Sequence, residues 1–270
     1  MKNAAALAIL VGAHALAQSP PLTPAPRILQ IFRETVRPGR ENAYVKNETQ
    51  VAAAMARLDY PSRYLTVSAI TGINDIWVLN GFDDYAQVDQ AGIEIAKNPA
   101  IMESIGRIMD SKDGLVNEGR TIFAHYREDM SQGRGLSGPR PRFFSITVVS
   151  VRAGHERDYA EMWRISHAGH QRAGLTDIHS VYQVASGMPD GTFLIFTPAG
   201  SLDDAGTSRI THGRRFDEAL GTTAAARMHE LMRSVVLGSE TNIFAIHAGM
   251  SFPAKEWVDA DPDFWKPPKQ

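Results

Sequence analysis

Four ring-bearing side chains recur at helical spacing in the second half of this 270-residue chain: Tyr159, Trp163, His167 and His170, separated by four, four and three residues. That spacing puts them on one face of a helix. A histidine on such a face can exchange a proton near neutral pH or hold a ligand, and a tryptophan beside it offers a flat wall to an aromatic molecule. His167 and His170 are the candidate catalytic residues, and Tyr159, Trp163 and His179 the candidate ligand-binding residues. The same face, partly solvated, would leave the histidines making ordinary hydrogen bonds, and no carboxylate partner for the pair can be identified from the sequence.

Other chemistry finds less support. Catalytic zinc usually takes three protein ligands and an open position, and His179 or His247 could supply a third only if the sheet faced that helix, so no metal is assigned. With no cysteine, thiol catalysis, cysteine-zinc sites and thiolate-ligated haem are excluded. Arg209, His212, Arg214 and Arg215 form a basic cluster that would receive an anion or serve equally as a solvated helix face. A net charge of -2 offers no basic surface for nucleic acid. There is no phosphate loop, no paired-carboxylate signature and no nucleophile elbow.

The elements that must carry these residues are organised by a repeat. Val36-Arg37-Pro38-Gly39-Arg40-Glu41-Asn42-Ala43-Tyr44 is echoed by Val151-Arg152-Ala153-Gly154-His155-Glu156-Arg157-Asp158-Tyr159, Gly72 by Gly187, and Ile122-Phe123-Ala124 by Ile243-Phe244-Ala245. Each copy predicts strand, helix, a strand hairpin, helices and a closing strand. In the first copy these are Ile28–Phe32, a helix from Arg40 with Tyr44, Val51, Met55 and Leu58 on one face, Tyr64–Ile70 with Ile76–Phe82, helices capped by Asp83-Asp84 and opened by Pro99, and Thr121–Tyr126. In the second they are Phe143–Val151, His155–Ala173, His179–Val184 with Thr192–Thr197, helices over Arg209–Leu220 and Ala224–Leu237, and Asn242–His247. Glycine allows the sharp strand-to-helix turn, and the glutamate two residues on meets the positive end of the helix dipole.

Aligning the copies sharpens the candidate site. Tyr159, Trp163, His167 and His170 answer to Tyr44, Glu48, Ala52 and Met55, and seven of nine histidines lie in the second copy. The expectation is a polar, aromatic cavity in unit two where unit one has ordinary packing.

A four-stranded sheet with helices on one face leaves its other face bare, and two such sheets can cover each other. At this point the chain resembles the dimeric α/β-barrel superfamily, with the turns Arg37-Pro38-Gly39-Arg40-Glu41 and Arg152-Ala153-Gly154-His155-Glu156 similar to those of NIPSNAP and antibiotic-biosynthesis-monooxygenase-type proteins. The resemblance implies an α+β fold of two tandem ferredoxin-like β-α-β-β-α-β units pairing as one intramolecular barrel. It also implies binding of a small apolar or aromatic molecule, or its oxidation without a cofactor. A non-catalytic binding or assembly protein of the same fold is the alternative.

The flanks complete the domain plan. Lys2, the apolar run Ala4–Val11 and Ala15-Leu16-Ala17 read as a signal peptide over 1–17, shorter than a bilayer span, so the mature protein is expected in the periplasm or outside the cell with no membrane span. A proline-rich leader follows at 18–26, then unit one over 27–130, a linker over 131–141 and unit two over 142–250. The aromatic tail over 251–270 reads as a strap across a domain surface or a partner subunit, which would make a homo-oligomer.

Overall fold

A computed structural model describes residues 25–132, 141–175 and 178–265; within the last range the side chains of 207–212 and 214 are outside the description. The expected signal peptide, most of the leader, the core of the linker and the last five residues also lie outside the described residues. No helix among the described residues is long and apolar enough to cross a membrane.

Strand β1 (Ile28–Val36) turns into helix α1 (Glu41–Arg57) through the repeated motif. Gly39 takes a φ of 79° and its counterpart Gly154 one of 83°. The Gly39 N–H donates to Glu41 Oε1 at 3.1 Å, and the Gly154 N–H to Glu156 Oε1 at 3.3 Å. The glutamate therefore ties the turn as well as facing the helix dipole. Strands β2 (Tyr64–Ala69) and β3 (Asp75–Phe82) form the hairpin, followed by α2 (Tyr85–Lys97), α3 (Pro99–Ser111) and β4 (Val116–Tyr126). Asp84 caps α2 through the Gln87 N–H, and Asn98 caps α3, where Pro99 occupies the first helical position.

The same order returns with β5 (Phe143–Val151), α4 (Glu156–Ala173), β6 (Ser180–Ser186), β7 (Thr192–Ala199), α5 (Leu202–Leu220), α6 (Thr222–Val235) and β8 (Val236–Ile246). Short helices α7 (Lys255–Ala260) and α8 (Pro262–Trp265) end the described chain.

All eight strands form one closed antiparallel barrel in the order β1-β3-β2-β8-β5-β7-β6-β4. Two seams join the halves. At one, β2 pairs with β8 with Val67 opposite Ile246; at the other, β4 pairs with β6 with Tyr126 opposite Tyr182. Each closing strand runs on into a 3-10 turn, Glu128–Met130 or Ala248–Met250, that packs against the opposite half's first helix. The crossings match: Ser131 Oγ accepts from the Val181 N–H at 3.0 Å, and Ser251 Oγ from the Thr66 N–H at 2.9 Å.

Side chains alternate across a strand, so one face of each strand fills the barrel and the other packs under helices. Leu29, Ile31, Leu79, Phe144, Tyr182 and Phe196 belong to the inner core, with Phe196 in edge contact with Trp77, Phe144 and Tyr182. The aromatic tail caps one barrel end from its own chain: Trp257, Phe264 and Trp265 pack on this core, and Arg142, beside Phe264 at 4.0 Å, pairs with Asp261.

Boundaries shift where strands are more polar than expected. β1 continues past Phe32 to Val36 and β4 begins at Val116, because their polar halves pair with each other, Arg33 opposite Arg120 and Thr35 opposite Glu118. Phe32, next to the inward-facing Ile31, is 39% exposed. β8 likewise starts at Val236, and α5 starts at Leu202 behind its cap Ser201.

One turn gives a direct test. Gly187 has a φ of 88°, and a Cβ there would sit 2.1 Å from the Thr121 carbonyl oxygen. Gly187→Ala should lower the unfolding free energy by more than about 1 kcal/mol, read as a shifted urea midpoint with an unchanged slope.

Candidate functional site

Helix α4 packs on the outer face of the second half's sheet. Tyr159 and Met162 anchor it among Val151, Phe193, Leu231 and Val235, with the Tyr159 ring 4.7 Å from that of Phe193. One turn on, Trp163 lies 4.8 Å from the His179 ring, and His167 closes a triangle at 5.8 Å from Trp163 and 5.7 Å from His179. His179 enters just before β6 rather than on it. Its backbone bridges Gln132, and its Nε2 lies 3.2 Å from the Met130 carbonyl oxygen. The crossing segment from the first half thus helps hold His179 against α4.

His170 goes elsewhere. It stands another turn along the axis, where α5 forms the opposing wall, with its ring 4.7 Å from Phe216 and Nδ1 2.9 Å from the Ser166 carbonyl oxygen. A shared helical face therefore does not bring the two histidine rings to one point.

Trp163 Nε1 and His167 Nε2 are both buried without a hydrogen-bond partner. Burial, then the charge of His170, holds the His167 pKa below the usual histidine value, against the opposing pulls of the Met130 carbonyl and Asp129. The neutral ring prevails at pH 7, and a neutral imidazole nitrogen can accept a proton.

The corresponding place in the first half departs from the ordinary packing expected. Beneath α1, Tyr44 donates to Glu34, while Lys112 Nζ lies 2.8 Å from Glu34 Oε2 and 3.1 Å from Glu48 Oε1. Glu48 is only 5% exposed. Its burial raises its pKa, against the lowering pull of Lys112; for Lys112 burial acts downward, but Glu48 and Glu34 outweigh it and the net shift is upward. Sequence reading missed this cluster because Lys112 comes from beyond α3, 64 residues from Glu48.

Two cavities of about 360 Å3 lie away from His167, His170 and His179. One is outside the barrel, where the Tyr85 hydroxyl meets His125 Nε2 at 2.9 Å. The other is at the barrel mouth opposite the aromatic cap, with Arg33, Asp75 and Trp77 in its wall. The alternation Leu29, Ile31, Arg33 could have pointed Arg33 into the barrel, but closure of the sheet was needed to make a mouth.

Among the described residues, no three His, Asp or Glu side chains gather as a metal site. Of the expected basic cluster, the side chains of Arg209, His212 and Arg214 are outside the description, and Arg215 donates to the Ala173 carbonyl at 3.1 Å.

No protein-family model and no curated protein matches the sequence. Solved structures do match the fold. A Fusobacterium nucleatum protein called a "putative monooxygenase" is 12% identical with a TM-score of 0.52, over 82% of this chain and 93% of its own. An anthrone oxidase-like protein is 14% identical with a TM-score of 0.54, over 82% of this chain and 92% of its own. A NIPSNAP domain protein from Burkholderia xenovorans, at 15% identity and a TM-score of 0.30, matches 36% of this chain and 90% of its own. The first two matches, together with the closed eight-stranded barrel, give the chain the ferredoxin-like α/β-barrel fold.

The buried groups make two measurable differences. Burial disfavours the charged forms of His167 and His247, so the unfolded chain takes up more protons than the folded one below the ordinary histidine pKa of about 6.5. Stability present at pH 7.5 should be lost as pH falls through that value toward the lowered folded pKa values. Glu48, with a raised pKa, acts in the opposite sense, so the readout is the difference between variants: His167→Gln should lose less stability than wild type in urea unfolding between pH 7.5 and 5.5. In the first half, Lys112→Met leaves the buried Glu48 and the half-buried Glu34 carboxylates without their shared cation and should cost about 3 to 5 kcal/mol. Glu48→Gln, which removes a charge that burial already penalises, should cost clearly less in the same assay.

Proposed function

We propose that this chain, two tandem ferredoxin-like units in one barrel, binds a small apolar or aromatic molecule beside Trp163 and His167 and oxidises it without a cofactor. The observation that carries the reading is the pair of buried nitrogens, Trp163 Nε1 and His167 Nε2, that make no hydrogen bond of normal geometry although they adjoin a cluster of three rings. Leaving such groups unpaired is costly, and a bound hydroxyl or carbonyl would satisfy them. The neutral His167 ring would take a proton from an acidic C–H or O–H of the substrate. Molecular oxygen would then oxidise the resulting anion at a CH2 carbon, which gives up both hydrogens and four electrons to become C=O, one oxygen atom entering the product and the other leaving as water. His170 helps to hold the His167 pKa down, and Tyr159 and His179 hold the cluster together. The signal-peptide pattern of residues 1–17 supports export, with a mature chain beginning at Gln18 in the periplasm or outside the cell; the mass of the protein recovered from those fractions tests that cleavage.

A second reading, a non-catalytic binding or assembly protein, draws on the ordinary carbonyl contacts of His170 and His179. A thermal-shift screen of the full mature chain against aromatic and lipid-like compounds, followed by oxygen uptake with each compound that stabilises it, separates the two. A ligand at a hundred times its Kd adds about 2.7 kcal/mol of stability. His167→Ala should keep the melting temperature of the free protein and lower oxygen uptake by roughly 100-fold or more, the scale of a lost acid/base group. Stabilisation by a ligand with no oxygen uptake selects the binding protein; a collapse in melting temperature makes His167 a packing residue.

A further inference from the structure

The barrel has one end capped by its own tail and one end open, and the open end is built unlike the rest of the interior. Inward positions run from apolar at the middle to polar at the mouth: Leu29, Ile31, Arg33 along β1, and Phe244, Asn242, Glu240 in the opposite chain direction along β8. The mouth holds a cavity of about 360 Å3. Its deeper wall is Trp77, Ile146, Val148, Met188 and Phe244, contributed by both halves of the chain. That volume is at the lower end of the roughly 300 to 1,000 Å3 that small-molecule sites occupy.

The charges at the mouth select among ligands. Arg33, 22% exposed, is already committed: it reaches Asp75 Oδ2 through NH2 at 2.6 Å and Nε at 2.8 Å, with its guanidinium 5.5 Å from the Trp77 ring. Thr35 donates to the other Asp75 oxygen at 2.8 Å. With that cation neutralised, Glu240, bonded to Asn242 Nδ2 at 2.7 Å, leaves the wall with an excess negative charge that disfavours anions. Trp77 is 2% exposed, and its Nε1 is a buried donor with no acceptor. An uncharged planar molecule would suit the apolar wall, and an acceptor oxygen on it would relieve that donor.

We infer that the barrel mouth is a second binding site, separate from Trp163 and His167, for a neutral, planar aromatic ketone or quinone. The site rests on the cavity and its wall and stands whether or not His167 is catalytic.

Equilibrium dialysis of the full mature chain with 9-fluorenone tests this, using fluorene as the probe without a carbonyl and 9-fluorenone-4-carboxylate as the charged one. The expected result is one fluorenone per chain bound at the mouth, counted as the binding that the mouth variants below remove, with fluorene and the carboxylate each weaker there by about tenfold, the effect of one lost hydrogen bond or one unfavourable charge. Val148→Trp, which fills the cavity, should weaken fluorenone binding by at least about tenfold. Ser150→Trp, at an exposed position on the same rim, should do likewise if the first variant fails to fold. His167→Ala should leave it unchanged. No binding up to the solubility limit, equal binding of all three compounds, or loss on His167→Ala but not on the mouth variants would overturn the assignment.

Discussion

Everything in this molecule depends on closing the barrel. Each four-stranded half has an inner face too apolar to meet water, and the two seams, β2 with β8 and β4 with β6, turn two bare faces into one core and leave no free sheet edge. The seams are reinforced from outside. After its closing strand, each half sends a 3-10 turn across to the other half's first helix, so Met130 joins the core beneath α4 and Met250 the core beneath α1. Neither half completes its helix-covered core alone.

That exchange also shapes the candidate site. His179 is held by a backbone bridge to Gln132 and by the Met130 carbonyl, both belonging to the crossing segment. The rings of Trp163 and His167 on α4 meet His179 because the halves are interlocked. On the pseudo-equivalent side, Tyr64 bridges Phe252 and their rings lie 6.2 Å apart, while Glu48 stands where Trp163 stands in the other half. One scaffold thus holds an aromatic ring cluster under one helix and a Glu34-Tyr44-Glu48-Lys112 cluster under the other. Burying ions is costly unless they are paired, which explains why Lys112 lies between the two carboxylates.

The fold was largely legible in the residues. Gly39 and Gly154 marked the strand-to-helix turns, Asp84 and Pro99 the helix starts, and the hairpin turns at Gly72 and Gly187 their strand pairs, because backbone angles and capping are local matters. Strand limits were less legible. Arg33 to Val36 and Val116 to Arg120 are too polar to announce themselves as strands, and they are strands because each supplies the other's hydrogen bonds.

For the site, helical spacing correctly put Trp163 and His167 side by side, since neighbours one turn apart are fixed by the helix itself. It could not separate His170, whose surroundings are set by the packing of α5, nor bring Lys112 to Glu48 or Arg33 to Trp77. The sequence by itself determined the order of elements, the turns and the asymmetry between its two halves. Tertiary structure alone decided which end of the barrel is open, which charges are buried together, and which histidine meets the ring cluster, because each of these is a contact between residues that only sheet closure brings within reach.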